Sequence, residues 1–147
     1  MKREILFRGK QVDTNNWVEG SLILLKRLCG IGYYINQISS ILCQLPVDFE
    51  TVGKFTGLTD KSGKRIFEGD IMKSWLIDHS REWIHVVEWR DLSWHFKCTW
   101  ASDRITMFSA TMLHSKNCFE VIGNIHDNPE LLNISENSLK GTEIQPE

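Results

Sequence analysis

A chain of 147 residues and 17.1 kDa is one domain's worth of polypeptide, and its 41% apolar content fills one core and is too little for two. Seventeen basic against nineteen acidic side chains, with an isoelectric point near 6.2, exclude the strongly basic signature of a non-specific nucleic-acid binder. Within the longest uncharged stretch, residues 29–46 are broken by Gly30, Gly32, Asn36, Gln37, Ser39, Ser40 and Gln44, so no segment offers the ~20 apolar residues that cross a bilayer. Ile5-Leu6-Phe7, cut at Arg8, is too short for the apolar region of a secretion signal. The expectation is a soluble, cytoplasmic domain with no membrane partner.

In chain order, the apolar period is mostly two and the separators are clusters of Gly, Asn, Asp and Ser, which predicts strands rather than helices. Residues 3–8 alternate Ile5 and Phe7 with polar neighbours, Asp13-Thr14-Asn15-Asn16 reads as a turn, and residues 17–25 resume as a strand, together a first hairpin. Tyr33-Tyr34-Ile35 reads as a third strand. Residues 36–45 carry no clean period and fit both a bent strand and a short helical turn. Residues 53–59 lead through Asp60-Lys61-Ser62-Gly63 into Lys64-Arg65-Ile66-Phe67. Asp at the head of that tetrapeptide bonds its own downstream backbone and Gly at its end accepts positive φ, so this is a hairpin turn. Positive φ or a close backbone approach is expected at Gly57, Gly63 and Gly69.

Glu68-Gly69-Asp70 then punctuates the chain before a strand at 71–76 and a polar loop at 78–82. Strands at 83–89 and 94–100 are joined by Arg90-Asp91-Leu92-Ser93, a connection of hairpin length. In residues 101–118, Ile105, Phe108 and Met112 fall at near-helical spacing, but Thr106, Ser109, Thr111 and Ser115 weigh against it, and helix and irregular chain both remain. Residues 119–125 are a strand. Asp127-Asn128-Pro129 opens a single helical turn to Leu132, with Pro129 where a missing amide is harmless. The expected domain runs from 1 to 134, and 135–147 is a polar, frayed tail.

Five positions in the C-terminal half, His85, His95, Cys98, His114 and Cys118, invite a metal reading. His114 and Cys118 are spaced like the ligands of one half of a zinc site, with no pair assigned to the other half, whereas a tetrahedral zinc site usually shows two such pairs. His95 is expected to point outward from a strand whose other face carries Trp94, Phe96 and Cys98. The four cysteines, Cys29, Cys43, Cys98 and Cys118, lie 14, 55 and 20 residues apart, which argues against a disulfide framework. Glu68 with Asp70, or Asp60 with Glu68, could be set as an acid–base pair, but a turn explains Glu-Gly-Asp more simply. No Gly-x-Ser-x-Gly elbow and no Walker loop occur. These readings leave no catalytic residue, cofactor or metal to assign.

Two surfaces remain. Lys54, Lys61, Lys64, Arg65 and Lys73, interleaved with Phe55, Phe67 and Trp75, form a basic and aromatic set of the kind that small barrels use to stack bases. With strand alternation the aromatics face the core and the lysines face water, so a solvated face is the plainer reading. Trp83, Trp89, Trp94 and Trp100 flank the second hairpin. Four indoles on two short strands cannot all enter one small core, which assigns some of them to a subunit contact.

Four blocks of the chain, 2–8, 17–20, 51–71 and 119–132, resemble in order and spacing the YopX family of phage and prophage proteins. The intervening 22–50 and 78–118 look like the family's variable parts, and Lys54 stands where the family often has Gln. The resemblance implies a small, barrel-like β protein that forms homo-oligomers and has no established activity, and it transfers no catalytic residue. With the turn reading of Gly57, Asp60, Gly63, Glu68, Gly69 and Asp70, it predicts a mainly β, partly open barrel of SH3-like shape, built from antiparallel hairpins with minor short helices and centred on residues 53–76. The functional expectation is a non-enzymatic accessory protein working through contacts with itself and with a phage or host protein. Its alternative is a nucleic-acid-binding barrel.

Overall fold

The computed structural model describes residues 4–27, 30–37, 43–75, 82–90, 93–98 and 119–133. The protein is mainly β: nine strands and one 3-10 helix occur among the described residues. The chain divides into two compact units, Met1–Leu58 and Thr59–Glu147, so the segment 53–76 straddles the division rather than lying at the middle of one sheet.

The first unit holds β1 (Phe7–Gln11), β2 (Trp17–Arg27), β3 (Gly30–Gln37) and most of β4 (Gln44–Thr59). Each pairs antiparallel with the next, and β1 also pairs with β4, so the sheet closes partly on itself. Closure leaves β1 bonded along both sides, which removes two exposed strand edges at once. Its core is Val18, Ile35 and Val47, with Leu22, Tyr33, Leu45 and Val52 packed against them. The turn at 12–16 sets the register. Asn15 N–H donates to the Gln11 carbonyl at 2.9 Å, Gln11 N–H to the Asn16 carbonyl at 2.9 Å, and Asn15 takes φ 59, a conformation that Asn tolerates better than most residues.

That register corrects the reading of the first strand. The strand starts at Phe7 and runs on through Gly9-Lys10-Gln11, because Phe7↔Gly20 through Lys10↔Trp17 are paired even where the sequence does not alternate. Leu6 is the buried residue of the opening segment, while Ile5 is 69% exposed. The Leu6 carbonyl accepts the Phe55 N–H at 2.8 Å, which seats the segment against β4. Gly20 lies where a Cβ would run into the Asn36 carbonyl oxygen and sit 2.9 Å from Ile35 Cγ2, so only glycine lets β2 and β3 approach here.

The second unit contains β5 (Arg65–Phe67), β6 (Asp70–Trp75), β7 (Glu82–Arg90), β8 (Ser93–Cys98), β9 (Phe119–Asn124) and the 3-10 helix Pro129–Leu132. Four of these strands form an antiparallel sheet in the order β8-β7-β6-β9. The pairs Met72↔His85, Ser74↔Trp83, Val87↔Phe96 and Met72↔Val121 place Met72, His85, Val87, Phe96, Phe119 and Val121 on one face, and all six are buried. Lys73, Trp75, Glu82, Glu88, Lys97 and Glu120 lie on the other face. A bulge between Ile71 and Met72 interrupts the β6–β9 ladder, and both of those residues are buried.

Pro129 opens the 3-10 helix as expected, with Asn128 at its N-cap position but without a side-chain cap bond. The expectations for 38–42, 76–81, 101–118, Trp100, His114, Cys118 and the tail 135–147 fall outside the described residues.

Gly63 holds φ 84, and a Cβ there would meet nothing within 4 Å, so its need for glycine is purely a backbone one. Gly63→Val should therefore destabilise by roughly 1–2 kcal/mol, the cost of the left-handed region for a side chain. Gly20→Ala should cost more, because it separates two paired strands. Thermal melts of both variants against the parent check the order, and equal melting curves would contradict it.

Candidate functional site

The chemistry-bearing side chains of the second unit gather around the turn at residues 60–64. Asp60, 3% exposed, accepts through Oδ1 from Ser62 N–H at 2.8 Å, Ser62 Oγ–H at 2.7 Å and Lys64 N–H at 3.0 Å. Its Oδ2 accepts from Val121 N–H at 3.1 Å, across 61 residues of sequence. Desolvation by burial would raise the Asp60 pKa, but the Ser62 hydroxyl and the Val121, Lys64 and Ser62 amides outweigh it and hold the carboxyl below its ordinary value. The backbone adds two turn bonds, Asp60 N–H to Lys64 O at 2.9 Å and Gly63 N–H to Asp60 O at 3.0 Å. Lys61 N–H donates to Phe119 O at 3.3 Å. The turn is thus docked on β9 as well as closed on itself.

The Glu68-Gly69-Asp70 corner is built the same way. Asp70 is fully buried and accepts the Phe67 N–H through Oδ2 at 2.7 Å, and Gly69 takes φ 80. Gly69 N–H donates to Val87 O at 2.8 Å, and its carbonyl accepts the Ile125 N–H at 2.9 Å, so one glycine joins the corner to β7 and to the end of β9. Gly57, at φ 88, lies near the end of β4 beside Thr56, whose hydroxyl accepts the Leu58 N–H at 3.1 Å. Glu68 is half-buried at the corner. After β9, Asn124 Oδ1 accepts from His126 N–H at 3.0 Å and Asp127 N–H at 2.9 Å, and its Nδ2 donates to Asp127 Oδ2 at 2.9 Å. These carboxylates and amides are engaged by backbone donors, which is what turns require.

The basic residues are divided between the two units. Lys54 lies in the first unit, and Lys61, Lys64, Arg65 and Lys73 lie in the second. Lys61 Nζ is 2.6 Å from Glu120 Oε2 and 4.6 Å from the centroid of the Trp75 ring. Lys73 Nζ is 2.6 Å from Glu82 Oε2. Both ion pairs are partly exposed and contribute little to stability. They matter for recognition, because a base stacking on Trp75 would meet Lys61 already over that ring. Lys64 and Arg65 are exposed, Phe67 is buried, and Phe55 and Trp75 are half-buried.

Of the tryptophans, Trp89 is 42% exposed, while Trp83 and Trp94 are half-buried. Trp89 and Trp94 are cross-strand partners at the turn end of the β7–β8 hairpin, with ring centroids 4.9 Å apart at 71°, an edge-to-face pair.

The histidines correct one expectation. His95 does not project into water: it is 6% exposed, with its ring Nε2 2.8 Å from Ser93 Oγ. A hydroxyl two residues away supplies the partner that makes burial of a polar ring tolerable. His85 is 1% exposed, and its Nε2 lies 2.7 Å from Ser74 Oγ. Burial pushes the His85 imidazole down to about 4, against a smaller upward pull from a hydrogen bond to the Phe96 backbone. No group of three or more His, Cys, Asp or Glu that could hold a metal occurs among the described residues.

Sequence reasoning missed a second set of exposed apolar groups in the first unit. Leu24 is 58% exposed, Ile31 66% and Phe49 51%. Phe49 stacks on Tyr33 at 4.1 Å between centroids, and Tyr33 is the cross-strand partner of Leu24. The available signal was Leu22-Ile23-Leu24-Leu25, a run apolar on both faces of a strand, which one covered face does not require.

Two antiparallel sheets joined by tight Asp- and Gly-built turns, the first partly closed, define a class of small mainly-β proteins. The sequence pattern of the family described as YopX protein matches residues 6–133. The chain belongs to that family. It is similar to the crystal structure of protein EF1440 from Enterococcus faecalis, at 22% identity and a TM-score of 0.50 over 89% of this chain and 99% of that one. At that identity the likeness is one of fold. No curated protein matches the chain.

Asp60→Ala removes the acceptor of four hydrogen bonds and leaves the Val121 and Lys64 amides without it, which should cost about 2–4 kcal/mol. Because the folded pKa of Asp60 lies below its ordinary value of 3.8, its contribution is present above that value and is lost as pH falls through the folded one. Urea titrations of both proteins should show a wide stability gap at neutral pH that narrows in strong acid. A gap that does not change with pH would contradict this.

Proposed function

We propose that the protein is a non-enzymatic accessory protein of a phage or prophage, acting in the host cytoplasm as a homo-oligomer that works through protein contacts. The observation that carries this reading is the Trp89–Trp94 pair, large aromatic surface left in water at the end of a strand hairpin. Exposed aromatic groups on a rigid sheet are what protein interfaces use as anchors, since they bury much area and lose little side-chain entropy. Leu24, Ile31 and Phe49 add apolar surface in the first unit. Membership of the YopX family supports the phage context and a barrel-like shape, and no described helix is long and apolar enough to cross a membrane. The bonding of the Asp60, Asp70 and Asn124 side chains to backbone amides supports a structural rather than catalytic role for the polar groups.

Light scattering at micromolar concentration should give a mass that is a multiple of 17.1 kDa, and Trp89→Ala should lower it. A monomeric mass at all concentrations would defeat the oligomer. Affinity for single-stranded DNA or RNA, measured across a salt series, tests the competing reading. Binding that weakens steeply as salt rises marks a protein that neutralises phosphates, whereas the proposal expects little affinity even at low salt.

A further inference from the structure

We propose that the β7–β8 hairpin of the second unit is an acid-sensitive latch, closed while the buried His85 ring stays neutral against Ser74 and released when that ring must carry a proton. The inference is independent of the proposed function. Its geometry is a seam. β6 is held on both sides, by β7 and by β9, and is buried at Asp70, Ile71 and Met72, each at 2% exposure or less. β7 and β8 form a hairpin that meets the rest of the sheet along β6 alone among the described strands. Its turn end, with Trp89 and Arg90, is exposed. The Ser74–His85 bond spans this seam at 2.7 Å.

The hydrogen bond itself is not what acid breaks. A neutral ring accepts the Ser74 hydroxyl proton at Nε2, and a protonated ring donates to the same oxygen, so the contact survives either way. What protonation costs is the solvation of a charge at a position 1% exposed. The other positions on that face of the sheet are Met72 and Ser74 of β6, Trp83, Val87 and Trp89 of β7, Trp94, Phe96 and Cys98 of β8, the last paired directly with His85, and Phe119 and Val121 of β9. Asp70 is the ionisable group that β6 adds to this face, and its carboxylate is engaged by the Phe67 N–H. Lys73, Glu82, Glu88, His95, Lys97 and Glu120 all stand at positions of the opposite face. Asp70 is the described carboxylate on this face, and burial still displaces the His85 pKa downward to about 4.

The sign follows. His85 binds its proton less readily in the closed sheet than in the open one, so opening takes up a proton between the ordinary value of 6.5 and about 4. Through that window the opening equilibrium should rise about tenfold for each pH unit of acidification, one proton being taken up per opening event. Amide hydrogen exchange across that range, corrected for intrinsic rates, reads this residue by residue. The expected result is that protection of β7 and β8 amides falls about tenfold per pH unit while β1–β4 amides change far less. His85→Gln, which keeps a hydrogen-bonding end without a titrating ring, should flatten the dependence, and His95→Gln should leave it.

No change in β7–β8 protection, an equal change in every strand of both units, or an undiminished slope in His85→Gln each overturns the latch. Where His85→Gln does not fold, the ring resonances of the unmodified protein decide. A His85 ring still neutral at the midpoint of the window supports the proposal, and a ring that has titrated near its ordinary value overturns it.

Discussion

The second unit depends on one carboxylate. Asp60 gathers three donors of its own turn on Oδ1 and gives Oδ2 to the amide of Val121. A local turn and a strand 61 residues later are thereby fixed by the same side chain. Loop closure over that distance carries an entropic cost that no single contact offsets. Around Asp60 the same juncture is made again by the Lys61 amide on Phe119, the Lys61 ammonium on Glu120 and the Gly69 carbonyl on Ile125. Cooperation among these bonds places β9 beside β6, and the four-stranded sheet follows from that placement.

The same kind of bonding recurs at the other buried carboxylate of this region, Asp70. Carboxylates close together in a chain suggest acid–base work, but Asp60 and Asp70 each accept buried backbone amides. For Asp60 that bonding holds the carboxyl below its ordinary pKa. Lys61 is engaged at the surface, by an acid and by an indole face.

What lies outside this network is apolar. Trp89 with Trp94 in the second unit, and Leu24, Ile31 and Phe49 in the first, are only partly covered by their own strands. The sheets therefore present aromatic and aliphatic surface from rigid strands rather than from loops. Rigid presentation lowers the entropic cost of docking, which is the basis of the protein-contact role proposed above.

The strands and turns were legible in the sequence because they rest on local physics. Period-two alternation marks β8, and Asp60 to Gly63 states its turn through one side chain that bonds its downstream backbone and one residue that tolerates positive φ. The membership of the YopX family was legible for a related reason, since its blocks are those turns and the strands they join. Local pattern did not reveal which side of a strand faces inward where polar and apolar groups mix. Leu6 rather than Ile5 is buried because pairing with β4 seats the segment, and His95 is buried because Ser93 supplies its partner. It did not reveal that β1 closes onto β4, or that Asp60 reaches Val121. Those are contacts between segments far apart in the chain. Alternation carries no information about which distant strand will supply the partner, so only the tertiary structure decides it.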